Sequence, residues 1–207
     1  MKEYQISFKR SLITNIAIAV IIVFVCIATF STEVQSFVAG TLNAPVFKGN
    51  SNGSNVALAI SVCNKDNIDK TLEVLDESGA DASIFLCPDI YETNMDLINE
   101  LLAKGIHTGI YVCAEHSLGN LELKEGDYVL CTPSFKKDNL KNASKAIFLN
   151  GTVDANKIYS YEKELTLNEN MIIVYNIDDG IYRLKALLNE ITDKGYNIVN
   201  VRDILNE

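Results

Sequence analysis

Short apolar runs alternate with amphipathic stretches along most of the chain. The runs VALAISV (56–62) and ASIFL (82–86) are uninterrupted, which is typical of strands that are buried on both faces. Between these two runs, Ile68, Leu72 and Leu75 recur at helical spacing, and Gly79 marks a stop. The pattern predicts a strand, a helix, a glycine turn and a second strand.

The alternation continues to the C-terminus. The second predicted helix has its apolar positions on one face: Met95, Ile98, Leu101 and Leu102. Thr93 is its expected cap, and Gly105 is its expected end. Further apolar runs predict strands at 109–113, 128–131, 146–149, 171–175 and 197–201. A last helix, closed by Gly195, has apolar positions at Ile181, Leu184, Leu187, Leu188 and Ile191. About seven strands with interposed helices indicate an α/β fold with a parallel sheet, and only 132–165 lacks a clear pattern.

The most apolar segment lies before this domain. Residues 12–30 carry no charge, and a helix of about 20 apolar residues spans a bilayer. Because the basic residues precede this segment, residues 1–11 are expected to stay in the cytoplasm. The alternative is a cleaved signal peptide, which the bulky Phe30 disfavours at the cleavage position.

The segments after the span complete the predicted organisation. Residues 31–54 are polar and rich in Gly, Asn and Ser near their end, which predicts a flexible stalk. Residues 55–207 form the domain, which is expected outside the cytoplasm with the chain held in the cell membrane through 12–30. The chain carries a net charge of −9, and an acidic domain repels phosphates, so no nucleic-acid partner is expected.

The cysteines do not form a diagnostic pattern. Cys26 lies in the predicted span, and the other four are separated by long intervals without a CxxC pair. These four lie at or just past the ends of predicted strands: Cys63, Cys87, Cys113 and Cys131. They are interpreted as buried packing residues, with disulfides or a thiolate zinc site as the alternatives.

The opening unit of the domain resembles that of a known family. Val56-Ala57-Leu58 is similar to the start of a strand that reads VALTFDDGP in that family. The stretch from Leu72 to Gly79 matches the helix and turn that follow it, and Ala82–Leu86 matches a second strand that reads ATFFL. Two further segments have counterparts in the same family: GIHTGIYVCAE (105–115) and the closing IIVYNIDDG…KGYNIVNVRDIL. Over nearly all of 55–207, the chain resembles the polysaccharide deacetylase family, also called the NodB homology domain.

The resemblance implies a fold and a chemistry. The fold is a distorted (β/α) barrel of about seven parallel strands, with its site at their carboxyl ends. The family removes N-acetyl groups from amino sugars with a divalent metal, which one Asp and two His hold. A second Asp serves as base and a further His as acid.

The family's catalytic residues are absent from the matching positions. Its paired Asp fall on Ser61 and Val62, and its two metal His fall on Tyr111 and Glu115. A frame shifted by one residue gives Val112 and His116 instead, and the closing His falls near Tyr175 or Asn176. The whole chain has two histidines, His107 and His116, whereas the family mechanism uses three. No catalytic residue, metal ligand or cofactor is therefore assigned, with a divalent metal such as zinc as the alternative.

Ten residues are expected to line the carboxyl-end opening: Ser61, Cys63, Cys87, Tyr111, Cys113, Glu115, His116, Cys131, Tyr175 and Asp178. Asp178-Asp179-Gly180 imitates the family's Asp-Asp-Gly, but acids also favour the start of a helix.

Two hypotheses follow from the resemblance. The first is a catalytically inactive, membrane-anchored module that binds cell-wall glycan or another envelope protein, and the family's anchored members suggest a sporulation role. The second is an active carbohydrate deacetylase with a rebuilt metal site that uses Glu115, His116, Asp178 and Asp179, or the thiols.

Overall fold

The computed structural model of the chain describes residues 45–51, 53–113, 121–132, 146–160 and 164–205. Its strands are β1 (Asn55–Val62), β2 (Ser83–Leu86), β3 (Thr108–Val112), β4 (Tyr128–Cys131), β5 (Ile147–Leu149), β6 (Val153–Asp154), β7 (Ile172–Asn176) and β8 (Asn197–Val199). Its helices are α1 (Ile68–Ser78), α2 (Pro88–Thr93), α3 (Met95–Ala103), α4 (Ala155–Ser160), α5 (Ile181–Asp193) and α6 (Val201–Leu205).

The described strands form one parallel sheet. Its order is β5-β4-β3-β2-β1-β7-β6, and β8 pairs with the first part of β1. The sheet curls into a half-barrel, so the α/β class and the parallel barrel-like arrangement expected from the sequence are confirmed. All paired strands run in the same direction, which brings their carboxyl ends to one opening, called the mouth here.

Both faces of β1 are covered, as its unbroken apolar run predicts. Val56, Leu58 and Ile60 pack on the outer face against helices that include α1 and α5. Ala57 and Ala59 face the inside of the curl, in a cluster that also holds Phe85, Cys87, Tyr111, Leu130, Leu149, Ile172, Val201 and Ile204. This inner cluster fills the barrel below the mouth.

Two predicted elements differ from the structure. The helix predicted after Thr93 corresponds to α3, but Thr93 is not its cap: it is the last residue of α2, a short helix that begins at Pro88 and was not predicted. Asn94 then precedes α3. The strand expected to run to residue 201 ends at Val199, and Val201 begins α6, whose apolar residues face the inner cluster.

The segment 45–51, at the end of the predicted stalk, packs against the sheet. Val46 forms a parallel bridge with Leu149 of β5, and Lys48 forms an antiparallel bridge with Met171 next to β7. The backbone N–H of Asn50 donates to the carbonyl of Ile204 at 2.8 Å. The packed structure therefore begins no later than Val46. The segment 45–51 bridges the two sides of the half-barrel.

The predicted membrane span, residues 12–30, lies outside the described residues. Within the described ranges, no helix is long and apolar enough to cross a bilayer.

Candidate functional site

A cavity of about 300 Å³ opens at the mouth. It is bordered by residues from the ends of six strands and from α4: Ser61, Tyr111, Cys131, Thr132, Asn150, Gly151, Asp154, Asn156, Lys157, Ser160, Val174 and Asn176. Ser61, Tyr111 and Cys131 of the predicted set border this mouth cavity. Most of the other lining residues come from 150–160, which the sequence pattern left unassigned.

Ser61 is a fully buried side chain that lines the mouth cavity. It lies near the end of β1, opposite Phe85 of β2 and Asn176 of β7. Its side chain is fully buried, and its Oγ is the one buried side-chain polar atom in the described ranges without a hydrogen-bond partner. Burying a hydroxyl without a partner is unfavourable, so a polar group entering the cavity would gain a ready partner there.

Amide groups form one wall of the cavity. The Asn156 side chain from α4 donates to the carbonyl of Asn176 at 3.0 Å and accepts from its N–H at 2.7 Å. This pair of bonds extends the end of β7 much as a neighbouring strand would. Asn150, which follows β5, is also buried. No sequence motif marks these asparagines.

An ion pair lies at the rim of the cavity. Lys157 Nζ is 3.3 Å from Asp154 Oδ2, and both side chains are substantially exposed. The backbone N–H of Lys157 also donates to Asp154 Oδ1 at 3.2 Å. Because the two charges lie side by side, the described lining is neutral overall.

Tyr175 and Asp178 belong to the structure around the mouth and do not line the cavity. Tyr175 is fully buried on the outer face of β7, where its hydroxyl donates to the carbonyl of Gly180. Asp178 follows β7 and accepts from the N–H of Cys63 at 3.0 Å and from Asn67 Nδ2 at 2.7 Å. Its carboxylate therefore ties the loop after β7 to the loop after β1.

The cysteines have different environments. Cys63 and Cys87 form a disulfide with their Cα atoms 5.0 Å apart, which selects the disulfide alternative for this pair in place of packing thiols. Cys113 and Cys131 are not part of a disulfide, and they are half-buried and buried respectively. Cys131 borders the cavity but packs in the outer cluster with Val129 and Phe148. Glu115 and His116 lie outside the described residues, and so does the side chain of Asp179.

His107 lies at the opposite end of the barrel, next to the start of β3. Its Nδ1 is 2.9 Å from Ser83 Oγ, and its ring packs edge-on against Tyr128. Burial and the nearby Arg202 lower the pKa of His107 to about 4, so its imidazole is neutral near pH 7. His107 therefore has a structural role, and it lies far from the mouth along the strand direction.

Comparison with solved structures identifies the architecture. Bacillus subtilis PdaA, a family 4 carbohydrate esterase, gives a TM-score of 0.60 at 14% identity, over 85% of this chain and 90% of that one. A family 4 carbohydrate esterase from Bacillus anthracis gives 0.58 at 16% identity, over 86% and 94%. A pseudoenzyme of the same family from Bacillus anthracis gives 0.55 at 14% identity, over 78% and 69%.

The chain has the fold of the family 4 carbohydrate esterases. The NodB-like fold implied by the resemblance to polysaccharide deacetylases is therefore confirmed. At these identities the likeness concerns the fold. Searches of the sequence against family models and against curated proteins give no match.

The strand register shows which of the two alternative positions, 111 or 112, faces the cavity. Tyr111 packs in the inner cluster and borders the cavity, whereas Val112 faces the outer cluster. Because successive residues of a strand face opposite sides, only the frame with Tyr111 brings a side chain to the cavity. The same alternation places Ser61 inside and Val62 outside.

The described part of the mouth does not fit the family's metal. Asp154 is the only carboxylate among the described lining residues, it is paired with Lys157, and histidine is absent from that lining. Across the described ranges, no group of three His, Cys, Asp or Glu residues is arranged to hold a metal ion. A hydroxyl stands at position 61, where the resemblance implies a carboxylate, and it cannot act as a general base near neutral pH.

Proposed function

We propose that this chain is a catalytically inactive relative of the family 4 carbohydrate esterases that binds glycan at the cell envelope. The observation that carries the proposal is the buried, unpartnered Ser61 hydroxyl in a cavity with a neutral polar lining. Hydrolysis of an unactivated amide needs an activated nucleophile and stabilisation of the charge on the carbonyl oxygen. The described lining supplies hydroxyl and amide groups, which suit binding of an uncharged polar ligand.

The class of ligand is proposed from the proteins with the same fold. Solved structures of this fold include a peptidoglycan N-acetylglucosamine deacetylase and the peptidoglycan deacetylase PdaC from Bacillus subtilis. A cavity of about 300 Å³ is of the size that accommodates one sugar ring. We therefore take N-acetylated cell-wall glycan as the ligand of this chain, and sporulation as one setting for it.

An extracytoplasmic location is the second part of the proposal. The Cys63–Cys87 disulfide supports it, because disulfides persist mainly in oxidising compartments. The uncharged segment 12–30 supports anchoring in the cell membrane, with the domain on the outer side. Another envelope protein is the alternative partner.

Two measurements on the purified full-length chain test the proposal. Acetate release from chitin oligomers and peptidoglycan, with added zinc, cobalt or manganese, should not exceed the background without protein. Titration calorimetry with chitin oligomers should give binding that Ser61→Ala weakens about tenfold, the value of one hydrogen bond of roughly 1.4 kcal/mol. Ser83→Ala is the matched control, because this buried serine lies at the start of β2, and it should bind as the parent does.

The rebuilt enzyme is the alternative outcome. Acetate release that EDTA abolishes would refute the inactive interpretation. Loss of that activity in Glu115→Gln or His116→Ala would then locate the metal site. Ser61→Asp combined with Val62→Asp should not create activity, because the histidines of the family mechanism remain absent and such groups act together.

A further inference from the structure

Three successive strands end in front of a cysteine. β1 ends at Val62, β2 at Leu86 and β3 at Val112, and the next residues are Cys63, Cys87 and Cys113. All three cysteines lie in or pack against the inner cluster. They therefore occupy neighbouring positions along the same side of the mouth.

The disulfide joins two of these three residues. The register pairs Val62 with Leu86, so Cys63 and Cys87 follow at matching positions on adjacent strands. Cys113 is left as a free, half-buried thiol beside this pair. Cys131 does not belong to the set, because it packs in the outer cluster with its Sγ 3.9 Å from the carbonyl of Val129.

Register also gives the spacing between Cys113 and the disulfide. Leu86 pairs with Ile110, so Cys87 matches Tyr111 and Cys113 lies two residues further along. A strand spacing of about 4.8 Å and a rise of about 3.3 Å per residue separate the Cα atoms of Cys87 and Cys113 by roughly 8 Å. Disulfides form up to Cα separations of about 7 Å, so a small backbone shift after β3 suffices. Cys63 lies one strand further from Cys113 and is out of reach.

We propose that Cys63, Cys87 and Cys113 form a thiol–disulfide exchange unit in which Cys113 replaces Cys63 as the partner of Cys87. The Cys113 thiol loses its proton, and its thiolate attacks Sγ of Cys87. The Cys87–Cys113 bond forms as the Cys63–Cys87 bond breaks, and the Cys63 thiolate leaves and takes up a proton. One disulfide is exchanged for another, so the step needs no oxidant or reductant.

The exchange takes place next to the mouth cavity, which Ser61 lines and the three cysteines do not. Cys63 comes two residues after Ser61, and in the disulfide it fixes the start of the loop that leads into α1. After exchange, that loop is held by the bonds of Asp178 to the Cys63 N–H and to Asn67. The cross-link then joins the loops after β2 and β3.

Peptide mapping of the full-length chain tests the proposal. A Cys26→Ser background removes the thiol of the predicted span. The protein is held at mildly alkaline pH without reductant, quenched with acid, alkylated in denaturant at low pH, digested and analysed by mass spectrometry. We expect the Cys87–Cys113 peptide with alkylated Cys63, together with the Cys63–Cys87 peptide with alkylated Cys113. Finding only the Cys63–Cys87 peptide would overturn the proposal.

Three variants serve as controls. Cys113→Ser should contain only the Cys63–Cys87 disulfide, with no alkylation of Cys63. Cys63→Ser should oxidise in air to a monomeric Cys87–Cys113 form, whereas Cys87→Ser should keep Cys63 and Cys113 alkylatable, because two strand spacings separate them. A folded Cys63→Ser protein in which both remaining mouth thiols stay free would also overturn the proposal. If that variant does not fold, the peptide map of the parent decides alone.

Discussion

Ser61 and Ser83 are two fully buried serines with opposite hydrogen-bonding states. The Oγ of Ser83 interacts with Nδ1 of His107 at 2.9 Å and accepts from the N–H of Val201 at 2.8 Å. Ser61 Oγ has no partner in the described ranges. One hydroxyl therefore connects β2, β3 and α6, while the other is available to a ligand.

Replacing each serine by alanine should change stability in opposite directions. Ser61→Ala removes a buried hydroxyl whose burial is uncompensated, so the free energy of unfolding should stay equal or rise by up to about 1 kcal/mol. Ser83→Ala leaves two groups without their hydrogen-bond partner and should lower the free energy of unfolding by about 1–3 kcal/mol. Denaturant titration of both variants measures the difference. A Ser61→Ala variant as destabilised as Ser83→Ala would show that Ser61 already has a structural partner.

His107 should make the domain sensitive to mild acid. In the folded chain its pKa is about 4, first because of burial and then because of Arg202, against a reference value of 6.5. Between these values the unfolded chain binds a proton that the folded chain does not, so stability falls as the pH drops from 6.5 towards 4. The loss should be on the order of 2 kcal/mol. Denaturation across this range should show a smaller loss in His107→Gln, and equal losses would exclude His107 as the cause.

Two glycines are needed where two different elements of the fold meet their surroundings. Gly109 in β3 lies against its neighbours so tightly that a Cβ atom there would be 2.5 Å from the Phe85 ring and 2.7 Å from the Tyr128 carbonyl. Gly79, at the end of α1, has open space around it but a φ of +65°. The two glycines are therefore required for different reasons, one steric and one conformational.

Alanine substitutions should separate these two reasons. Gly109→Ala forces Phe85 or β4 to move and should cost about 2–3 kcal/mol. Gly79→Ala should cost only about 1 kcal/mol, the penalty of a left-handed backbone for a residue with a Cβ. Thermal or denaturant unfolding of both variants shows which of the two is less stable. The reverse order would mean that β3 can shift away from β2 and β4 at little cost.

Patterns in the sequence predicted those elements whose periodicity is strong. The seven predicted strands correspond to β1–β5, β7 and β8, and the unbroken apolar run of β1 fits a strand covered on both faces. The short helix α2 was not predicted, because it has only six residues and Pro88 is the one signal of its start. β6 and α4 have two and six residues, too few to show any period.

The residues of the candidate site also fall into those that the sequence pattern predicts and those that it does not. Ser61 and Tyr111 could be predicted, because each lies at the end of a recognisable strand and alternation sets which face it occupies. Asn150, Asn156 and the pair Asp154–Lys157 could not, because they come from the segment that has no clear pattern. The role of Asp178 in tying two loops together could not be predicted, because both hydrogen bonds of its carboxylate involve residues far away in the sequence.

At the scale of the whole chain, the predicted anchor can be tested separately from the domain. Residues 1–30 placed before a reporter enzyme should export the reporter and keep it in the membrane fraction, because 12–30 is uncharged and long enough to span. Ile21→Arg is the control and should reduce insertion, since a charge at the helix centre costs about 3 kcal/mol. A soluble, shortened reporter would identify the segment as a cleaved signal peptide.

The segment that closes the half-barrel also determines how the domain would respond to force. Residues 45–51 lead into the domain from the side of the predicted anchor, and they are bound through Val46 to Leu149, through Lys48 to Met171 and through Asn50 to Ile204. Tension applied at residue 45 would therefore load these bridges before it reached β1. Peeling the segment away would uncover backbone groups beside β5 and β7, which can pair with another chain. In this arrangement segment 45–51 is itself part of the barrel wall, so a pull on it would open the barrel from the side.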